Sequence, residues 1–407
     1  MPVVTQSNAD ISVPAGATET VNGDDDLITA GANANLTVNG FGDTIEQSTG
    51  FVTIGGTGTG LDYLSGSHLE ITLLADAHLF LDGSIEDVYL GANSVAVATG
   101  DNTNFFGSDD KIRSSEATVG GDAVTGNSNR VFVGDGSQLI LDGNNNFMRA
   151  GVRASMALTG TNERVVGADF FLTATAGSDL LIGRNGATGE ADTLTASNIT
   201  ARVAANSNII LSGDDDTVAV REDSNVYFVG MGLTAHFGDG ASITITSKGT
   251  ALDTLTGEDF TVDIANSPAN VLLSSLGATA TLADDVTLQL ERSNNTVHAG
   301  NADTISILSG NYNQVVLGQN DVISDTGFVS TFQAGGNVGA TTIKNFSADP
   351  GGIVELLNGV GGYATAQDAY SHLTSDGDGG SMLSLGANGS IDFAGDTSLS
   401  AANFKIG

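Results

Sequence analysis

The most restrictive feature of this chain is a short unit that returns at a nearly fixed offset. It reads glycine, two small or polar residues, Asp or Asn, one variable residue, then an aliphatic residue. GDDDLI at 23–28 returns as GFGDTI at 40–45, and GNNNFM from Gly143, GTNERVV from Gly160 and GSDLLI from Gly177 follow one another at 17 residues. GNADTI from Gly300, GNYNQVV from Gly310 and GQNDVI from Gly318 come 10 and then 8 apart. That spacing is half of the same unit, so a half-coil of eight to ten residues fits every case. Repeats of this kind cannot bury a hydrophobic face singly and become stable only when stacked.

Glycine in such a unit permits the positive φ of a tight turn, and Asp or Asn bonds its own backbone there or faces a cation. Between the turns lie short alternating segments: Leu36/Val38, Leu79/Leu81, Val131/Val133, Leu139/Leu141, Ile243/Ile245, Val262/Ile264 and Val286/Leu288/Leu290. These are strand signatures with every second side chain directed inward. A hairpin meander would account for the alternation but not for a Gly/Asx turn held at constant phase over most of the chain. The expected fold is therefore all-β, a right-handed parallel β-solenoid. A small β-rich module with one short helix, over 363–373, should close it at the C-terminal side. The expected organisation is an N-terminal strand serving as cap or assembly segment over 1–18, degenerate repeats over 19–340, and the module over 341–407. Between about 190 and 290 the glycine phase loosens, which predicts wider coils with loops.

Charge narrows the partners. Thirteen Lys and Arg stand against 48 Asp and Glu, a formal charge of −35, which repels nucleic-acid phosphates. It also opposes compaction unless cations are taken up, and a hard divalent ion bound by carboxylates and carbonyls is the natural one. The chain has no cysteine, so neither disulfides nor thiolate metal sites contribute. No apolar run approaches the roughly 18 residues that span a bilayer. MPVVTQSNADISVP at the start lacks the basic and apolar regions of a cleaved secretory signal, so export is expected to be addressed from elsewhere in the chain.

The Gly/Asp units, with IGGTGTGLDYL at 54–64 the fullest local match, resemble the RTX nonapeptide family, which binds calcium in the turns of a β-roll. Few units carry the double glycine of that family, and many replace Asp by Asn or Thr. The last 67 residues look like the carboxy-terminal module of proteins exported by type I secretion. The shared residues are IKNF at 343–346, IVELL, SDGDGGSMLSL, GSIDFAG and the terminal NFKIG. The resemblance implies calcium as cofactor, with Asp24, Asp26, Asp43, Asp62, Asp179, Asp214, Asp216, Asp303, Asp321, Asp376 and Asp378 as oxygen donors. Each of these carboxylates reads equally as a solvated turn residue. Asn144/Asn145/Asn146 and Asn294/Asn295 are placed to form amide ladders between coils.

Catalytic signals are sparse. The five histidines, His68, His78, His236, His298 and His372, form no HExxH pair, no G-x-S-x-G elbow occurs, tryptophan is absent and aromatic residues are 6%. Thr57/Thr59 and Thr244/Thr246 are isolated Thr-x-Thr pairs without the ladder that ice binding requires. The expected function is that of a non-enzymatic structural protein, extracellular or at the cell surface, assembling with copies of itself into a filament, matrix fibre or S-layer. Its further partners are the type I secretion machinery and a cell-surface polysaccharide. The expectation excludes nucleic acid and a membrane-spanning segment. The competing readings are an adhesin and a polysaccharide-active β-helix lyase or epimerase.

Overall fold

A computed structural model describes residues 2–56, 60–84, 86–99, 103–114, 121–167, 170–175, 177–182, 191–246, 249–346 and 349–407. The chain is an all-β parallel β-solenoid of about 19 turns, 53% strand and 4% helical. It divides into two compact units, Met1–Ala201 and Arg202–Gly407.

In the first unit each coil contributes two strands separated by two corners. Thr18–Asn22 lies in one sheet and Leu27–Ala30 in the other; each pairs in parallel with the strand one coil on, Thr18 with Asn35 and Leu27 with Thr44. The half-coils seen in the sequence are these two strand-plus-corner halves. Successive coils sit in register, so like residues stack: Val21, Val38, Ile54 and Leu73 form one inward column. Ile28, Ile45, Leu64 and Leu81 form the facing one. All eight are essentially buried, and stacking them removes their apolar surface from water at about 25 cal/mol per Å². Leu139 and Leu141 continue the pattern further along.

The second unit is built the same way. Asn208–Ser212, Asn225–Val229 and Ser242–Ile245 stack in one sheet and Thr217–Val220 and Thr234–Phe237 in the other. Coils between 208 and 242 keep the short repeat, Asn208 facing Asn225 and Asn225 facing Ser242. Beyond them the turn widens to a separation of 20 between Leu233 and Asp253, and before them it is 22 between Phe171 and Thr193. Wider coils thus occur in part of the stretch where the glycine phase loosens and also outside it, as where Thr331 pairs with Ile353, 22 residues on. The GNYNQVV unit is out of phase with its neighbours because it sits at the opposite corner. Asn313 stacks on Asn295, whereas Asp321 stacks on Asp303.

Ala340–Lys344 and Ile353–Leu356 add to the same two sheets. A six-residue helix follows, Ala366–Ser371, whose first turn is capped by the Thr365 side chain accepting from the Asp368 N–H, a standard way to satisfy an orphan donor. The chain then forms an antiparallel pairing of Ser381–Ser384 with Ser390–Ala394; the latter strand returns parallel onto Ala340–Lys344, and Phe404–Ile406 onto Ile353–Leu356. Phe332, Phe346, Phe393 and Phe404 pack in sequence with ring centroids 5.3–6.1 Å apart. Lys405 closes an ion pair of 2.6 Å with Glu355. Among the described residues no helix is long and apolar enough to cross a membrane.

Candidate functional site

The residues that sequence reading singles out meet at the corners, and the geometry there divides them into two rows. The leading glycine is required by space. An ideal Cβ on Gly40 would lie 1.6 Å from the Gly23 carbonyl oxygen, and one on Gly318 only 1.3 Å from that of Gly300. Some leading glycines take the positive φ expected of them, Gly177 at 85° and Gly310 at 100°, and in other coils left-handed backbone falls two residues later, on Asp25, Asn145, Asp215 and Asn320, with φ of 58–62°. Short polar side chains tolerate that conformation, which explains why Asx recurs between the glycine and the buried acid.

One residue after the glycine lies a row that reaches solvent, half-buried at Asp24 and exposed at Asn144 and Asp214. Asp24 Oδ1 accepts the Phe41 N–H (3.3 Å), Asp214 Oδ1 the Met231 N–H (2.9 Å), and Asn144 Oδ1 the Thr161 N–H (2.9 Å). Here each side chain serves the coil that follows. Three residues after the glycine lies a buried row with the opposite polarity. Asp26 Oδ1 accepts the Ala9 N–H (2.8 Å) and Asp43 Oδ1 the Asp26 N–H (2.8 Å), and Asp62, two residues after Gly60, accepts the Asp43 N–H through Oδ1 (3.0 Å). In the second unit Asp303 serves Val286 and Asp321 serves Asp303 in the same way. Each of these side chains completes the coil before it, so the corners are stitched in both directions.

The second oxygen of the buried acids is the unusual element. Asp303 and Asp321 direct Oδ2 at the N–H of their own leading glycines, Gly300 and Gly318, at 2.7 and 2.8 Å. Asp26 and Asp43 leave Oδ2 buried without a hydrogen-bond partner. The Asn rungs show what the position asks for: Asn129 Nδ2 donates to the Gly107 carbonyl (3.0 Å) and Asn146 Nδ2 to that of Gly126 (3.1 Å). In Asp43 an acceptor takes the place of that donor, and both it and the Gly23 carbonyl oxygen lie within 3 Å of where a Cβ on Gly40 would sit. Burial, with the neighbouring Asp62, Asp26 and Asp24 charges adding to it, pushes the Asp43 carboxyl up to about 7. Burial likewise pushes Asp62, Asp110 and Asp321 up to about 6 and Asp303 and Glu163 up to about 7. A proton on Oδ2 restores the bond that asparagine makes. Calcium takes about six to eight oxygens, and Asp26 and Asp43 each have one spare carboxylate oxygen, whereas Asp303 and Asp321 have both oxygens engaged. Among the described residues no three His, Asp or Glu side chains converge to hold a metal ion. At Asp26 and Asp43 the buried row has room for a proton on Oδ2.

The other expected donors are dispersed. Asp216 is buried at its corner. Asp179 stands off the row, at the start of Asp179–Ile182, and Leu180 takes the register position of Glu163. Asp376 Oδ1 accepts the Asp378 and Gly380 N–H groups (both 2.8 Å), bonds that lower its pKa. The hairpin brings Asp392 against Asp376, and burial raises the Asp392 pKa, with the Asp376 charge adding to it. Sequence reading did not find Asp392, since only the antiparallel register makes the two neighbours. It also missed Asp110, Asn129 and Glu163, although all three lie three residues after a glycine. Amide ladders occur where Asn144 Nδ2 donates to Asn127 and Asn295 Nδ2 to Asn313, both at 3.3 Å. Thr57 and Thr59 lie outside the described residues, and Thr244 stacks between Tyr227 and Asp263 without a threonine ladder. No family model matches the chain, and no curated protein or solved structure matches it.

Proposed function

We propose that this chain is a secreted structural protein that assembles with copies of itself into an extracellular filament, fibre or surface lattice. The observation that carries this reading is how a coil is completed. Strand bonds, glycine contacts and both Asx rows all run between one coil and the next. Among the described residues Val3–Thr5 and Asp10–Val13 pair on one side only, with Thr20–Asn22 and Leu27–Ala30. Such an edge templates addition of another strand layer.

Export by a type I route accords with the elements at 341–407 that resemble such a module. Calcium, in this reading, acts at the solvent-accessible carboxylates Asp24, Asp214, Asp376 and Asp378, where divalent ions offset a charge of −35 that otherwise keeps copies apart. Extracellular sites of this kind fill at about 10⁻⁴ to 10⁻³ M. Electron microscopy of the purified chain with millimolar calcium, and again after chelation, tests the reading. Ordered polymers that disperse on chelation are expected; a monomer that cleaves anionic polysaccharide under both conditions overturns it.

A further inference from the structure

Five of the chain's 13 basic residues gather on one outward sheet face of the first unit. Register places Lys111 beside Arg130, Arg130 beside Phe147 and Phe147 beside Arg164 in one column. The adjoining column runs Arg113, Phe132, Arg149. All five cations are exposed. Arg164 lies over the Phe147 ring at 5.3 Å. The ion pairs among the described residues are His372–Asp368 and Lys405–Glu355, so none of the five is neutralised.

Opposing charge is sparse in the surroundings. Residues 109–167 hold six basic residues and seven carboxylates, a net of −1 in a chain of −35, and three of those carboxylates, Asp110, Asp122 and Glu163, are buried. The corner leading into the face is built from Asn127, Asn144 and Thr161, where other coils use Asp24 or Asp214. Like charges directly opposed on neighbouring strands are destabilising. Solvation of a sheet face needs only polar residues, so folding itself does not reward this stack.

We propose that the face binds a linear uronic-acid polysaccharide, one carboxylate per sugar, laid along the stack. Rungs repeat at roughly 4.8 Å, close to the advance of one pyranose unit, and each rung from 111 to 164 presents a cation in one column or both. Phe132 and Phe147 offer apolar rings to the C–H faces of the sugars. Duplex DNA carries a charge about every 1.7 Å, so the field of a −35 protein opposes it far more than a polymer with one charge per sugar. The inference names a site for the surface polysaccharide expected from the sequence, and it holds whether or not the chain polymerises.

Binding of the full-length protein to sodium polygalacturonate, in EDTA to exclude calcium bridges, is the test, with dextran and oligo(dT) as parallel arms. Polygalacturonate should bind at 50 mM NaCl and release at 0.5 M, where screening is within a few ångströms. R130Q/R149Q should weaken it by about five- to tenfold, as expected for two exposed charge contacts. R221Q, an exposed arginine of the second unit, should leave it unchanged. The proposal is overturned if dextran binds equally, if R221Q weakens binding as much as R130Q/R149Q, or if oligo(dT) binds more tightly. It is also overturned if R130Q/R149Q changes only the sedimentation of the free protein, which would assign the face to a second copy.

Discussion

Replacing Asp43 by Asn tests the buried row most directly. The side chain is fully buried, its Oδ1 holds the Asp26 N–H at 2.8 Å, and its Oδ2 has no partner. Asn129 and Asn146 show that an amide fits the equivalent place and bonds the preceding glycine carbonyl. Asp43 has its pKa raised from 3.8 to about 7. Because the folded-state pKa lies above the unfolded one, the proton's contribution is complete below pH 3.8 and is lost as pH rises through about 7. At about 1.36 kcal/mol per unit, that window is worth roughly 4 kcal/mol at most. D43N does not titrate, so it should match the wild type near pH 4 and exceed it by about 2–4 kcal/mol at pH 8. For a unit of 201 residues this is a rise in melting temperature of roughly 5–10 °C. Thermal melts of both proteins in EDTA at pH 4 and pH 8 decide it. A D43N protein destabilised at pH 8, or shifted equally at both pH values, refutes the reasoning and shows that the site requires a negative charge.

Other expectations follow from the same corners and columns. G40A, whose Cβ would lie 1.6 Å from the Gly23 carbonyl, should cost upwards of about 3 kcal/mol in urea unfolding. G16A meets open space at φ 69° and should cost only about 1 kcal/mol. L36A removes a buried member of an inward column and should lose about 2–5 kcal/mol, whereas F51A, 52% exposed, should stay within about 0.5 kcal/mol. D303N should remove a pH dependence of the same size as D43N, since both carboxyls are pushed up to about 7, but gain less than D43N at every pH. Its Oδ2 already accepts the Gly300 N–H, a bond that favours the charged form, and the amide would set donor against donor there; equal gains at pH 8 would contradict this. K405A, losing one ion pair at the surface, should change stability by about 0–1 kcal/mol.

The alternation of apolar residues and the glycine spacing are local properties, and they alone determined that the chain makes parallel coils. They also determined where the corners fall and which aliphatic side chains, such as Leu36, Val38 and Leu139, point inward. They determined too that Asp or Asn would sit at the corners, because only a few residues suit a left-handed turn. What the acids do there was decided by register between coils. Asp24 and Asp26 are two residues apart, yet one is half-buried and caps the coil after it, while the other is fully buried and caps the coil before it. Asp376 meets Asp392 only through an antiparallel return. Lys111, Arg130 and Arg164 become neighbours only because the coils between them close to nearly the same length. Contacts between residues 17–19 apart depend on how each coil closes, and a single-residue slip would turn every side chain of a strand to its other face. For that reason charge clusters, buried acids and docking faces belong to the tertiary structure even where every rung is legible in the sequence.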